Sequence, residues 1–172
     1  MPMFKLWIVI YYLKNYKLIF SAHGLPEKNI KNGDPYQWQV EQSVNKIVKV
    51  LGIENLDWIL SYQSRVGPLK WIGPSTEDII IENSKLGKHI VLVPIAFVSE
   101  HSETLVELDI EYKKLAVENG CKDYLRVPAV TANQDFINSL KSSILEASSG
   151  ERFTSSIKCI EKYKKCPRIQ NI

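Results

Sequence analysis

The side chains in this 172-residue chain best suited to chemistry are one histidine and a run of carboxylates at regular spacing. His23 stands in Ser21-Ala22-His23-Gly24-Leu25-Pro26, where a glycine and a proline mark a tight loop. An imidazole with an unperturbed pKa of about 6.5 can serve there as a base or a metal ligand, and equally as a structural loop residue. Glu103, Glu107 and Glu111 recur at i, i+4 and i+8, and Glu100 lies near the start of the same line. On a helix turning about 100° per residue, this spacing sets the carboxylates opposite an apolar face of Leu105, Leu108, Tyr112, Leu115 and Ala116. Like charges at i, i+4 cost a helix roughly 0.2–0.5 kcal/mol per pair. One reading is a solvated face with Lys114 nearby, at a helix N-terminus that favours anions. The other is a row of oxygen ligands for a divalent cation, leading from solvent to a pocket that also holds His23.

Three further residues belong to this inventory. His101 points to the core side if it is helical, and either packs there or joins the site. Arg65 and Trp71 lie in a long loop, 63–74, rich in glycine and proline. Arg65 could hold a carboxylate and Trp71 could stack on a flat apolar ligand. His89 opens an apolar run and receives no role. No Gly-x-Gly-x-x-Gly and no Gly-Lys-Ser/Thr phosphate loop follows any apolar run, which leaves nucleotide binding a weak alternative.

Positioning these residues requires a scaffold, and the hydrophobic period supplies one. Short apolar runs at 17–21, 56–62, 89–98 and 124–127 read as strands, each followed by a polar loop and a segment of helical spacing. The third run hardly alternates, as suits a strand covered on both faces. The first helix has Asp34 as N-cap, Pro35 at its first position, apolar residues at Val40, Val44, Ile47, Val48 and Leu51, and Gly52 as terminator. Further helices are expected over 76–86, 102–119 and 134–147. Alternating strands and helices imply an α/β fold, a mostly parallel sheet with helices on both faces. Ligands bind such sheets at the carboxyl ends of the strands, which directs attention to the loops at 22–33, 63–75 and 99–102.

Composition bounds the remaining possibilities. With 22 Lys and Arg against 19 Asp and Glu, the net charge of +3 is too small to make nucleic acid the main partner. Residues 151–172 hold six basic and two acidic side chains, a basic C-terminal tail (149–172) after a domain at 17–148 and a short preceding segment at 1–16. The odd cysteine count, Cys121, Cys159 and Cys166, predicts a reduced intracellular chain. The apolar stretch at 4–13 falls short of the roughly 20 residues a membrane span needs and lacks signal-peptide flanks.

Three ordered segments resemble the ferrochelatase family: SAHGLP at 21–26 with GDPY at 33–36, QSRVGPLKWIGPST at 63–76, and VPIAFVSEHSETLVELDIEY at 93–112. The resemblance runs from Leu18 to about Leu145. It implies insertion of ferrous iron, as substrate, into a porphyrin in haem biosynthesis, a lyase activity with no tightly bound cofactor. It implies that His23 and Glu103 hold the metal and carry the catalysis. Glu107, Glu111 and Glu100 then form an acidic relay, and Trp71, Arg65 and His101 contact the porphyrin. It further implies one half of a two-domain class II chelatase fold, with 1–16 as remnant of a preceding helix and the first half missing. A non-catalytic fragment that binds metal or tetrapyrrole is the alternative. Cys159 and Cys166 alone do not make the four thiolates of an iron–sulfur cluster, which is not carried over. The expected setting is the cytoplasm, with peripheral membrane contact through the tail and the 4–13 run. Self-association is expected through the face left by the missing half.

Overall fold

A computed structural model describes residues 15–149 and 163–166. Four strands, β1 (Tyr16–His23), β2 (Trp58–Gln63), β3 (His89–Pro94) and β4 (Tyr124–Arg126), form an all-parallel sheet in the order β2-β1-β3-β4. The helices are α1 (Glu27–Lys31), α2 (Tyr36–Leu51), α3 (Thr76–Lys85), a π-helix (Glu103–Glu111) continued by α4 (Tyr112–Glu118), and α5 (Gln134–Ser148). The expected α/β architecture is therefore the one observed.

Period-two alternation in β1 builds two cores. Ile19 packs on one face with Ile79 and Ile80 of α3, Leu108 of the π-helix, and Tyr112 and Ala116 of α4. Phe20 and Ala22 pack on the other with Val40 and Val44 of α2 and Tyr62. The connection from β1 to β2 runs one way along the sheet, and those from β2 to β3 and β3 to β4 run the other way. Right-handed crossovers moving in opposite directions must place their helices on opposite faces, as seen here. The order also makes a switch point between β1 and β3, where neighbouring loops diverge and leave a crevice at the strands' carboxyl ends.

At the opposite end of the sheet, Asp57 ties the strand starts together by accepting from Lys17 at 2.6 Å and from Lys88. Burial works to raise the Asp57 carboxyl, but the two ammonium groups outweigh it and hold the pKa below the usual value.

Several expectations need correction. β3 stops at Pro94 instead of continuing to Val98, because the chain turns there and Ala96 adopts a left-handed φ of 69°. The first expected loop contains the short helix α1. Pro35 sits at the cap of α2, although Asp34 still accepts the Tyr36 N–H at 2.9 Å, as a capping carboxylate does. The third helix opens as a π-helix, which has more residues per turn than an α-helix. Its buried line is accordingly Thr104, Leu108, Tyr112 and Ala116, every fourth residue, and Leu105, expected in the core, is 48% exposed.

Cys121 is a buried free thiol, but Cys166 is disulfide-bonded, contrary to the expectation of reduced cysteines. Part of the expected tail also packs against the body: Tyr163 and Cys166 are buried, Tyr163 lies against Trp38, and the Lys165 N–H donates to the Gly33 carbonyl at 3.2 Å. The run at 4–13 and most of the basic tail, Cys159 included, lie outside the described residues. Among the described residues no helix is long and apolar enough to cross a membrane.

Candidate active site

The crevice at the switch point brings His23, at the end of β1, to Glu103, the first residue of the π-helix: His23 Nε2 and Glu103 Oε1 are 3.6 Å apart. Both side chains are about two-fifths exposed, so the pair is open to solvent. Three local contacts fix the imidazole. Its Nδ1 lies 2.7 Å from the Gly24 carbonyl, which can only accept, so Nδ1 donates there and Nε2 is the ring nitrogen turned toward the carboxylate. The Tyr36 hydroxyl donates to the His23 carbonyl at 3.0 Å, which explains why GDPY accompanies SAHGLP. Gly24 donates to the Gln63 carbonyl at 2.8 Å and has no room for a side chain, since a Cβ would lie 2.9 Å from that same oxygen.

An imidazole nitrogen and a carboxylate oxygen at this distance can share a proton or a cation. Metal-binding histidines characteristically donate their other ring N–H to a carbonyl, the arrangement His23 shows.

Glu107, one π-turn further along, is tied to the end of β2. Its Oε1 accepts from the Ser64 N–H at 2.9 Å and the Tyr112 hydroxyl at 2.8 Å. Its Oε2 accepts from the Ser64 hydroxyl at 2.6 Å and the Gln63 amide at 3.2 Å. Burial first, and Glu107 second, push the Tyr112 phenol well above its ordinary pKa, so it stays a donor. The same Gln63 accepts from the Ser21 hydroxyl at 2.8 Å, and Ser21 and Ser61 both reach Thr76 at the start of α3 at 2.9 Å. A buried polar chain thus links two strand ends to the acidic helix. Sequence reasoning missed Gln63, Ser64, Ser21 and Thr76. The available signal was a polar residue closing each of two apolar runs.

Glu111 is exposed at the outer end of the line. Glu100 leaves it: its Oε1 accepts from Arg126 Nη1 at 2.6 Å and from the Ala129 N–H at 2.9 Å. Burial alone would raise the Glu100 carboxyl, but the Thr104 hydroxyl, the Arg126 guanidinium and the Ala129 N–H hold it down at about 2. Arg126 also grips Asp109 through Nε at 2.6 Å and through Nη2. One guanidinium from β4 therefore clamps both the loop before the π-helix and the helix itself.

His101 caps the helix by accepting the Glu103 N–H on Nδ1 at 3.2 Å, and its ring lies 5.4 Å from that of Phe97. Trp71 is brought beside the His23 loop by antiparallel pairing with Pro26, in which the Ile72 N–H donates to Leu25 at 2.9 Å. Its indole nitrogen is buried and has no hydrogen-bond partner among the described residues. Arg65 is exposed, yet its stem and the Trp71 ring both border Gly24, within 3.2 and 3.3 Å of where a Cβ would stand. The Arg65 stem and the Trp71 ring therefore both lie beside the His23 loop, His101 bonds the start of the helix at Glu103, and Glu100 serves the clamp. Among the described residues no group of three or more His, Cys, Asp or Glu gathers as a metal centre.

The ferrochelatase family model matches residues 10–148. A protein of Pelagibacter ubique (strain HTCC1062) named ferrochelatase is 72% identical over 159 residues, covering 90% of this chain and 46% of that protein. The ferrochelatase of Rickettsia prowazekii (strain Madrid E) is 50% identical over 161 residues, or 90% of this chain and 47% of its own length. That of Rickettsia conorii is 55% identical over 134 residues, covering 78% and 39%. The chain spans about half the length of the curated relatives it matches. With a family match over four-fifths of its residues and half or more of the aligned positions identical in each of these relatives, this chain belongs to the ferrochelatase family.

Proposed function

We propose that the chain carries the metal-handling part of a porphyrin metal chelatase, with ferrous iron and a porphyrin as substrates. The observation that carries this reading is the His23–Glu103 pair at the switch-point crevice, with Nδ1 of the histidine committed to Gly24 and Nε2 turned to the carboxylate. Imidazole and carboxylate each bind a divalent ion when deprotonated, and each can take a proton. Two protein donors leave most of the coordination sphere open, as handing the ion on to four pyrrole nitrogens requires. The two displaced pyrrole protons need acceptors, and His23 Nε2 and Glu103 are basic groups open to solvent at the strand ends.

In this reading Glu107 acts mainly as an anchor, because four donors already occupy its oxygens, and it sets a negative charge behind the pair. Glu111, at the exposed end, is the outlet to water. Trp71 and Arg65 meet the macrocycle at the rim, Trp71 by its ring and Arg65 through its charge. His101 holds Glu103 in place by capping the helix. A cytoplasmic setting, peripheral membrane contact and self-association are part of the same proposal.

The test replaces the matching half of the Pelagibacter relative by this chain and measures iron and zinc insertion. The chimera should be active, and His23→Ala together with Glu103→Ala should abolish turnover. A double variant that keeps the full rate would refute the assignment. A second reading for the 172-residue chain assayed by itself is binding of metal or tetrapyrrole without turnover. Porphyrin titration followed by absorbance, with and without iron, separates the two.

A further inference from the structure

One stretch of the basic tail returns to the body of the protein. Residues 163–166 form a turn in which the Cys166 N–H donates to the Tyr163 carbonyl at 2.8 Å, and Tyr163 and Cys166 are buried, at 7% and 0% exposure. The Tyr163 ring lies 5.8 Å from that of Trp38 on α2, and the Lys165 N–H donates to the Gly33 carbonyl at 3.2 Å. They land beside the turn at 33–36, which is tied to His23. Gly33 and Pro35 are buried there, Asp34 accepts the Tyr36 N–H at 2.9 Å, and the Tyr36 hydroxyl donates to the His23 carbonyl at 3.0 Å. A continuous series of contacts therefore joins Cys166 to His23.

The fastening of the tail turn is covalent: Cys166 is disulfide-bonded, while Cys121 is a free thiol. The bond holds neither core together, because both are built from residues 18–124. A single disulfide at the periphery of a chain with three cysteines is not the dense framework that replaces a core in small secreted domains, and thiol exchange can open it without dismantling the fold. We propose that residues 163–166 are a redox-released strap: with the Cys166 disulfide closed they brace the 33–36 turn and, through Tyr36, the His23 loop, and with it open they leave that turn. A dithiol supplies the two electrons. Its thiolate attacks the disulfide to form a mixed disulfide, its second thiol displaces the remaining protein sulfur, and two protons pass to the two protein thiols as the reductant departs as its own disulfide. Once the link is open, docking of the turn has to overcome the entropy of a longer free tail. The strap does not depend on the chelatase reading.

The test compares the oxidised 172-residue chain with the same chain treated with dithiothreitol. Reduction should speed hydrogen exchange at the Gly24, Gly33 and Tyr36 amides, and tryptic cleavage after Lys164 and Lys165 located by mass spectrometry, by roughly tenfold or more, with the circular dichroism of the fold retained. Cys166→Ser should match the reduced wild type and show no further response to dithiothreitol. Tyr163→Ala should speed exchange at Gly33 and Tyr36 with the disulfide intact. Unchanged exchange at Gly24 would overturn the link to His23, and unchanged cleavage after Lys164 and Lys165 would show a tail held without its disulfide. A dithiothreitol response that persists in Cys166→Ser would also overturn the proposal. So would loss of the whole fold on reduction, by making the bond a structural staple.

Discussion

Replacing Arg126 by methionine tests whether the clamp from β4 holds the helix that begins at Glu103 in place. The arginine side chain is 10% exposed, and its partners Glu100 and Asp109 are 24% and 33% exposed, so the substitution strands two carboxylates in partly desolvated surroundings. A Glu100 carboxyl lowered from 4.5 to about 2 corresponds to a ceiling of roughly 3 kcal/mol of folding free energy at neutral pH. Solvent reaches part of that side chain, so about 2 kcal/mol is the better figure, and breaking the pair with Asp109 as well brings the total for Arg126→Met to about 2–4 kcal/mol.

The sign with pH follows from the direction of the shift. Glu100 has a lower pKa folded than unfolded, so its contribution is complete above pH 4.5 and fades as the pH falls toward 2. Urea unfolding followed by circular dichroism between pH 7 and pH 2.5 is the assay. The wild type should lose stability across the acidic range, and Glu100→Gln should flatten that loss. Arg126→Met combined with Glu100→Gln should be less costly than the two single effects added. Arg126→Met should also weaken cobalt or zinc binding at His23 and Glu103, because the helix start is no longer tethered. A cost below about 0.5 kcal/mol for Arg126→Met, or an unchanged acid slope in Glu100→Gln, would refute this reasoning.

Two further outcomes are expected. Gly24→Ala should destabilise the fold by about 1–3 kcal/mol, because the new methyl meets the Gln63 carbonyl at 2.9 Å, and should weaken metal binding by displacing His23; calorimetry and zinc titration measure both. Leu108→Ala, at a fully buried position under the π-helix, should cost about 2–5 kcal/mol in urea unfolding, whereas Leu105→Ala, at an exposed position, should cost far less.

The Leu105 and Leu108 pair shows where one-dimensional reasoning stops. Both satisfy a 3.6-residue period, and only the wider π-turn, seated by Glu107 on Ser64 and by Arg126 on Asp109, decides that Leu108 is inside and Leu105 outside. Those partners are 43 and 17 residues away along the chain, beyond any local pattern. Glu100 shows the same limit: in sequence it lies near the start of the acidic row, and only the fold pairs it with Arg126, 26 residues away. Trp71 and Arg65 could be singled out in their loop, while the pairing with Pro26 that sets that loop beside His23 is a tertiary contact.

By itself, the order of residues determined the strands, their parallel arrangement, the loops at their carboxyl ends, and the family, because period, turn residues and ordered motifs are local properties of the chain. Tertiary structure alone decided that an imidazole at position 23 and a carboxylate at position 103 stand 3.6 Å apart, with the ring's second nitrogen already committed. That approach is a product of strand order: β3 returns to lie against β1, and the loops leaving these two adjacent strands border one crevice.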